Sequence, residues 1–265
     1  MSTLEVAIEG IGVWSPEVSG WEAARAALGA DTVPPVTASR PAAESLPPAE
    51  RRRAPEAVRV AVEAARQACA MAGRDARELP HVFASCYGDL LVNDYLCATL
   101  ARAPHELSPA RFHHSVHNAA AGYWTIATGC MRSSSAISAG AATFGAGLLE
   151  TAVLCAGEKT AALLAAYDVA VAGPLVDVNP CRSVFGVALV LAPSSPRALA
   201  RLRLVPCAPV RSGAKLAPEP ALLHACHRDN PAAQGLRLLQ ALARREPVLN
   251  LAAGPKLNLR VEIMS

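Results

Sequence analysis

The most restrictive feature of this sequence is a run of small residues between a short strand pattern and a helix pattern. Residues 133–139 are SSSAISA, and a Gly-Ala-Ala turn with helical spacing follows at once. A strand that turns sharply into a helix holds one side chain at the helix N-terminus, where the dipole favours negative charge. This arrangement predicts a nucleophile elbow at residues 138–145. Covalent chemistry would need cysteine or serine at its apex, but the residue there is Ala141.

Strand and helix patterns alternate around this turn, which predicts an α/β layered fold. Before residue 196 we predict strands at 4–13, 81–86, 133–139, 152–157 and 183–192. We predict helices at 19–30 (with Ser19 as N-cap), 55–73, 93–102, 118–129 and 140–150, and a long loop at 31–55. After residue 196 the pattern thins to a strand at 198–206, a helix at 232–245 and two strands within 248–263. We therefore divide one compact structural domain into residues 1–196 and a shorter part, 197–265.

The composition excludes several classes of protein. Hydrophobic residues make up 52% of the 265 residues and charged residues only 18%, which excludes a disordered chain. A net charge of +3 without a large basic patch argues against nucleic-acid binding. The eight cysteines never form a Cys-x-x-Cys pair, and the start shows no signal peptide pattern. Because no run of about 18 apolar residues is present either, we expect a cytoplasmic protein without a membrane span.

Several motifs resemble the β-ketoacyl synthase (thiolase-like) family. Residues 115–122 (SVHNAAAG), Gly129 and residues 136–138 lead into the turn with that family's spacing. Segments similar to the family's opening strand, the stretch after the elbow helix and the closing strand lie at 10–16 (GIGVWSP), 156–159 (AGEK) and 184–191 (VFGVALVL). The resemblance implies a thiolase-like layered fold whose first βαβαβαββ half is complete and whose second half is strongly reduced.

Two departures from the family pattern determine the functional prediction. The nucleophile position holds Ala141, and no His-Gly-Thr-Gly motif occurs in residues 193–265. Residues 112–118 (FHHSVHN) and 122–124 (GYW) resemble the short ketosynthase-like chain-length-factor proteins of aryl polyene clusters. The resemblance implies a non-catalytic chain-length-factor subunit, without cofactor, that pairs with an active ketosynthase and shapes its acyl tunnel in polyketide or fatty-acid-like biosynthesis. Acyl carrier protein would be engaged through the partner.

The resemblance also assigns two sets of site residues. The family dimerises along the strand before the elbow, where small side chains allow two chains to approach closely. The predicted dimer interface comprises Ser133, Ser134, Ser135, Ala136, Ile137 and Ser138. The predicted elbow or tunnel lining comprises Gly140, Ala141, Ala142, Phe144, His117 and Asn118.

Other interpretations of the sequence stay open. The chain could be a free-standing acyltransferase or decarboxylase that acts through Ser, His or Cys130, or a scaffold that binds acyl carrier protein. His113, His114 and His117 could bind a metal, form hydrogen bonds within their loop or line a surface. We predict no metal site, because no acidic residue or cysteine adjoins these histidines in sequence.

Overall fold

The computed structural model describes residues 3–209 and 219–264, which contain eight strands and nine α-helices. The strands are β1 (Leu4–Trp14), β2 (His81–Ala84), β3 (Ser134–Ile137), β4 (Ala162–Asp168), β5 (Phe185–Ala192), β6 (Ala200–Cys207), β7 (Val248–Gly254) and β8 (Leu257–Met264). The helices are α1 (Trp21–Ala30), α2 (Pro48–Arg53), α3 (Glu56–Ala72), α4 (Leu90–Arg102), α5 (Pro109–Phe112), α6 (Ala119–Thr128), α7 (Thr143–Glu158), α8 (Ala221–Cys226) and α9 (Gly235–Arg244).

The strands form one mixed sheet in the order β3-β2-β4-β5-β1-β6-β8-β7. β2 pairs in parallel with β3 and β4, and the other pairs are antiparallel. β1 is long enough to pair with β5 through residues 7–14 and with β6 through residues 4–8. β1 therefore joins two limbs of the sheet, one of five strands from the first part of the chain and one of three strands from the second.

Helix α7 lies between these two limbs. Its Phe144 and Leu148 belong to one buried cluster with Leu164 of β4 and Leu251 of β7. The helix touches the backbone of β7 so closely that a Cβ added at Gly145 would lie 2.0 Å from the carbonyl oxygen of Ala252. The layered α/β fold, with helices between two parts of the sheet, is therefore confirmed.

Helices α3 and α6 cover the opposite face of the first limb. A second buried cluster joins Val60 and Ala64 of α3 to Phe83 of β2 and Trp124 of α6. At the crossing of α3 and β1, a Cβ on Gly12 would lie 1.9 Å from the carbonyl oxygen of Ala64. Glycine in the strand and alanine in the helix let the two backbones meet, which explains the use of small residues in this core.

The predicted strand at 152–157 is wrong. These residues continue α7, which ends only at Glu158, and the next strand is β4, which begins five residues after the end of the predicted strand. A short apolar run has no periodicity that separates a buried strand from a buried helix. Residues 156–159 therefore form the end of α7, where Glu158 accepts hydrogen bonds from Arg132 and Ser133 at 3.3 and 2.5 Å.

Helices α1, α2 and α4 also differ from the sequence prediction. Helix α1 follows Gly20 without a side-chain cap, so Ser19 is not its N-cap. The predicted loop at 31–55 contains α2, which Pro47 and Pro48 initiate. Helix α4 begins three residues early, at Leu90, because the Asp89 carboxylate accepts a hydrogen bond from the Val92 amide as an N-cap.

Residues Gly140–Glu158, which comprise α7 and the turn before it, are long and apolar enough to cross a membrane. Half of this segment is buried inside the fold. A helix between two parts of a sheet meets apolar side chains on several faces, so its composition follows from its central position.

Candidate functional site

The predicted elbow is present. β3 ends at Ile137, a 3₁₀ turn spans Gly140–Ala142, and α7 begins at Thr143. Gly140 has a φ of 58°, a left-handed conformation that glycine adopts without strain. The Thr143 hydroxyl accepts a hydrogen bond from the Ala139 amide at 3.0 Å and donates one to the Gly140 carbonyl at 2.6 Å. The backbone and Thr143 thus hold the turn, and Ala141 is exposed at its apex.

A cavity of about 300 Å³ opens beside Ala141. Four segments line it: the elbow, the end of β2, the loop before β5 and the loop before α9. The lining residues are Cys86, Tyr87, Gly140, Ala141, Val178, Asn179, Pro180, Arg228, Asp229, Asn230, Pro231 and Gln234. Among the described residues, no histidine lines this cavity. The elbow therefore presents neither a nucleophile at its apex nor an imidazole base beside it, which covalent acyl transfer requires.

Cys86 is the one thiol in the described wall of the cavity, and it does not replace the missing nucleophile. Burial, with a smaller contribution from Asp168, raises the pKa of the Cys86 thiol to about 11. The thiol is therefore protonated near neutral pH, and a protonated thiol is a poor nucleophile. The Cys86 carbonyl accepts a hydrogen bond from the Ser138 hydroxyl at 2.6 Å, which fixes the elbow to the end of β2.

Asp168, at the end of β4, forms hydrogen bonds to residues of the cavity wall and to their neighbours. One carboxylate oxygen accepts hydrogen bonds from the Ser85 hydroxyl and the Cys86 amide, both at 2.9 Å. The other oxygen accepts a bond from the Ala232 amide at 3.1 Å, and the Asp168 carbonyl accepts one from the Asn230 side chain at 3.1 Å. Burial raises the pKa of Asp168 to about 7. This carboxylate fastens the second part of the chain to the first, and sequence analysis missed it.

The histidines of the 112–118 segment do not share one centre. The His117 imidazole is 2.8 Å from the Ser85 carbonyl oxygen, and His114 is 2.8 Å from the Tyr123 hydroxyl. The His113 ring packs against both His114 and Tyr123. Residues 3–209 and 219–264 contain no group of three His, Cys, Asp or Glu side chains that could hold a metal ion. The partners of His114 and His117 therefore lie outside their loop, on α6 and just after β2.

Cys130, the alternative nucleophile, is buried before β3 rather than at its carboxyl end. Its thiol donates a hydrogen bond to the Leu79 carbonyl at 3.4 Å and lies 3.9 Å from His81 Nδ1. Cys130 and His81 are 2% and 0% exposed. A substrate cannot reach this pair without local unfolding.

The predicted interface residues 133–138 lie at the edge of the sheet. Among the strands that the structure describes, β3 pairs with β2 alone, so the backbone amides and carbonyls on its other side have no strand partner there. Ser133, Ser134 and Ser138 are exposed, and the residues between them are half-buried. Met131, two residues before this segment, is 94% exposed. An edge strand next to an exposed apolar side chain is suited to pairing with another chain.

The predicted tunnel residues occupy different places. Gly140 and Ala141 line the cavity, whereas Phe144 is fully buried in the core and Ala142 is nearly so. Asn118 is exposed before α6, and His117 is held at the end of β2. A tunnel role for these last four residues stays a prediction.

A comparison with protein families finds one that matches a region containing the elbow. The sequence model of the β-ketoacyl synthase N-terminal domain matches residues 20–253. The chain belongs to the β-ketoacyl synthase family. No curated protein sequence matches it.

Solved structures of this family share the fold over the whole chain. One is a ketosynthase (ApeO) in complex with its chain length factor (ApeC) from Xenorhabdus doucetiae, with a TM-score of 0.72 and 23% identity over 98% of this chain and 99% of the matched chain. A second is a type II polyketide synthase acyl-carrier protein in complex with its ketosynthase (AntDE:AntF), with a TM-score of 0.71 and 11% identity over 99% of this chain and 100% of the matched chain. A third is the ishigamide ketosynthase/chain length factor, with a TM-score of 0.69 and 14% identity over 98% of this chain and 99% of the matched chain. The thiolase-like fold is thereby confirmed.

Proposed function

We propose that this chain is a non-catalytic chain-length-factor subunit, which pairs with an active ketosynthase and shapes its acyl tunnel in polyketide or fatty-acid-like biosynthesis. The observation that carries the proposal is Ala141 at the apex of an otherwise intact elbow. Among the residues that the structure describes, no histidine lines the cavity beside this elbow. The Cys86 thiol in the cavity wall is protonated near neutral pH. The cavity can exclude volume and form a wall, but it lacks the groups that form and break a thioester.

The free edge of β3 supports a partner chain. Residues 133–138 have small side chains apart from Ile137, so a second edge strand can approach the backbone closely. Because an unpaired edge tends to associate nonspecifically, a dedicated partner also protects the chain from aggregation. We therefore place the ketosynthase on residues 133–138, with Met131 at the border of the interface.

The structural neighbours support this kind of assembly. Three of them are matched over 99–100% of their chains, and their structures are ketosynthase complexes or ketosynthase/chain-length-factor pairs. By contrast, the chain covers only 71% of the β-ketoacyl synthase from Burkholderia phymatum. We extend the proposal to a cytoplasmic heterodimer that meets acyl carrier protein through its partner, with residues 112–118 and 122–124 favouring an aryl polyene product.

Co-expression with a full-length ketosynthase from the same gene neighbourhood tests the pairing. We expect a stable 1:1 complex by size-exclusion chromatography with light scattering. Ser134→Arg places a long charged side chain on the exposed free edge of β3, and we expect it to abolish co-purification. Asn250→Arg is the matched control, because Asn250 is exposed on β7 at the opposite edge of the sheet. Failure to co-purify, or equal behaviour of the two variants, would refute the proposed interface.

A second experiment tests the absence of catalysis. The purified chain is incubated alone with malonyl- or acyl-carrier protein, and we expect intact mass spectrometry to detect no covalent acyl adduct. An adduct on any residue would favour the free-standing acyltransferase instead.

In the reconstituted complex, Ala146→Phe enlarges a half-buried position on α7. Products of unchanged length would show that the partner alone limits the chain.

A further inference from the structure

A groove outside the elbow combines positive charge with hydrogen-bond donors. It has a volume of about 410 Å³ and lies between α2, the α5 region and α6. It is lined by Glu50, Arg53, Ser108, Ala110, Arg111, His113, His114 and Tyr123, none of which lines the cavity at Ala141. Neither the proposed interface at residues 133–138 nor the cavity at Ala141 uses these side chains.

Within residues 3–209 and 219–264, the two arginines of this groove form no ion pair. Among the described residues, neither Arg53 nor Arg111 has a carboxylate within 4.0 Å. The Arg111 guanidinium lies 3.9 Å from the centroid of the Tyr95 ring, which orients it without cancelling its charge. Glu50 is the only carboxylate in the described lining, so the groove is net positive even with both imidazoles neutral.

Hydrogen-bond donors in the groove match a phosphate better than a carboxylate. Two guanidinium groups, the His113 imidazole and the Ser108 hydroxyl face one space, beside His114 and Tyr123, which are hydrogen-bonded to each other at 2.8 Å. This number of donors exceeds what two carboxylate oxygens can accept, and it suits the three oxygens of a phosphate monoester. Burial lowers the pKa of His114, as do His113 and Arg111, whereas Asp89 and Glu50 act in the opposite direction.

An apolar hollow continues the groove. It has a volume of about 220 Å³, shares Glu50, His113 and Tyr123 with the groove and is otherwise lined by Leu46, Pro47, Ile126 and Ala127. An anion bound between the arginines would therefore have room beside it for an aromatic ring or a short acyl group. Ile126 is largely exposed at this hollow, where such a group would cover it.

We propose that this groove and hollow bind a small phosphate monoester whose organic group is aromatic or apolar. The phosphate lies between Arg53, Arg111 and the His113–His114 pair, and the organic group packs on Pro47, Ile126 and the Tyr123 ring. The inference does not depend on pairing with a ketosynthase, because every residue that it uses belongs to this chain.

Isothermal titration calorimetry of the full chain with phenyl phosphate tests the proposal. We expect saturable 1:1 binding, with benzoate and inorganic phosphate each at least about tenfold weaker, since each lacks one half of the recognition. Arg53→Gln and Arg111→Gln should each weaken binding by about tenfold or more. Arg52→Gln is the matched control, because Arg52 is exposed on the same helix and does not line the groove.

Several results would overturn the proposal. One is the absence of saturable phenyl phosphate binding, and another is an equal loss of affinity in the Arg52→Gln and Arg53→Gln variants. A third is benzoate binding as tightly as phenyl phosphate. If inorganic phosphate bound as tightly as phenyl phosphate, the apolar hollow would take no part in binding. Arg53 and Arg111 are both exposed, so their variants should keep the wild-type melting temperature, which circular dichroism verifies. Since the titration needs no partner, its failure leaves the proposed heterodimer unaffected.

Discussion

The buried carboxylate of Asp168 should make the stability of the fold depend on pH. In the folded chain burial raises its pKa from 3.8 to about 7, despite the hydrogen bonds donated by Ser85, Cys86 and Ala232. The folded state therefore holds this proton more tightly than the unfolded state. For a group of this kind, stability falls as pH rises from the unfolded pKa to the folded pKa and is level above it. The loss should therefore lie between pH 3.8 and about 7.

The size of the effect follows from the same two pKa values. A pKa difference of about three corresponds to ~4 kcal/mol between the two protonation states. Most of it, about 3 kcal/mol, falls between roughly pH 5 and pH 8, where the protein is easily handled. A domain is typically stable by about 5–15 kcal/mol, so the effect is large enough to measure.

Substitution of Asp168 by asparagine isolates this contribution from other titrating groups. The amide keeps an oxygen for Ser85 and Cys86 but places an N–H group against the Ala232 amide. That mismatch should cost about 1–3 kcal/mol at every pH, because a buried donor loses its acceptor. The free energy of unfolding of wild type minus that of Asp168→Asn should therefore fall by about 3 kcal/mol from roughly pH 5 to pH 8.

Urea unfolding followed by circular dichroism at several pH values measures this difference. Asp177→Asn serves as the control, because Asp177 is exposed and its loss should leave the wild-type pH profile unchanged. A constant difference between wild type and Asp168→Asn across the range would refute the argument. It would show that the three donors hold the carboxylate ionised in spite of its burial.

Two further substitutions test the packing of the fold. Gly145→Ala should destabilise the chain by ~2–4 kcal/mol, because its Cβ would meet the Ala252 carbonyl at 2.0 Å. Gly157→Ala in the same helix meets nothing within 4 Å, so it should be neutral or gain up to ~1 kcal/mol, and urea unfolding of the pair checks both. Arg74→Ala should cost ~2–4 kcal/mol, because it strands the buried Glu9 carboxylate that Arg74 binds at 2.7 and 2.8 Å. Arg74→Lys should recover only part of that loss, since one ammonium cannot bind both oxygens.

The sequence predicts most of the fold because its elements carry local signals. β1, α3, α6 and the elbow follow from alternation, helical spacing and small-residue turns within a few neighbours. The error at residues 152–157 arose where such a signal is absent. An apolar stretch inside a central helix meets core on several sides, so it has no polar face to mark its period.

The site is less predictable, because its geometry depends on distant parts of the chain. Ala141 is visible in the sequence, since the elbow is a local motif. Asp168 acquires its role only when β2, β4 and the segment before α9 meet, which joins residues 64 positions apart. The one local signal is a carboxylate that ends an otherwise apolar run, Ala162–Asp168. In the same way, the motif places Phe144 near the apex but does not reveal that its side chain is fully buried in this chain, and its tunnel role stays a prediction.

The elbow keeps its shape without a nucleophile because the apex side chain takes no part in holding it. Its hydrogen bonds come from Thr143, the backbone of residues 139 and 140, and the link from Ser138 to Cys86. Replacing a reactive side chain at position 141 by a methyl group therefore removes the chemistry at little cost to the fold. The turn still helps to position β3, the edge strand of the sheet, because it follows directly after the end of that strand. Under the proposed function, a ketosynthase framework would in this way lose catalysis and keep the surface on which a catalytic partner docks.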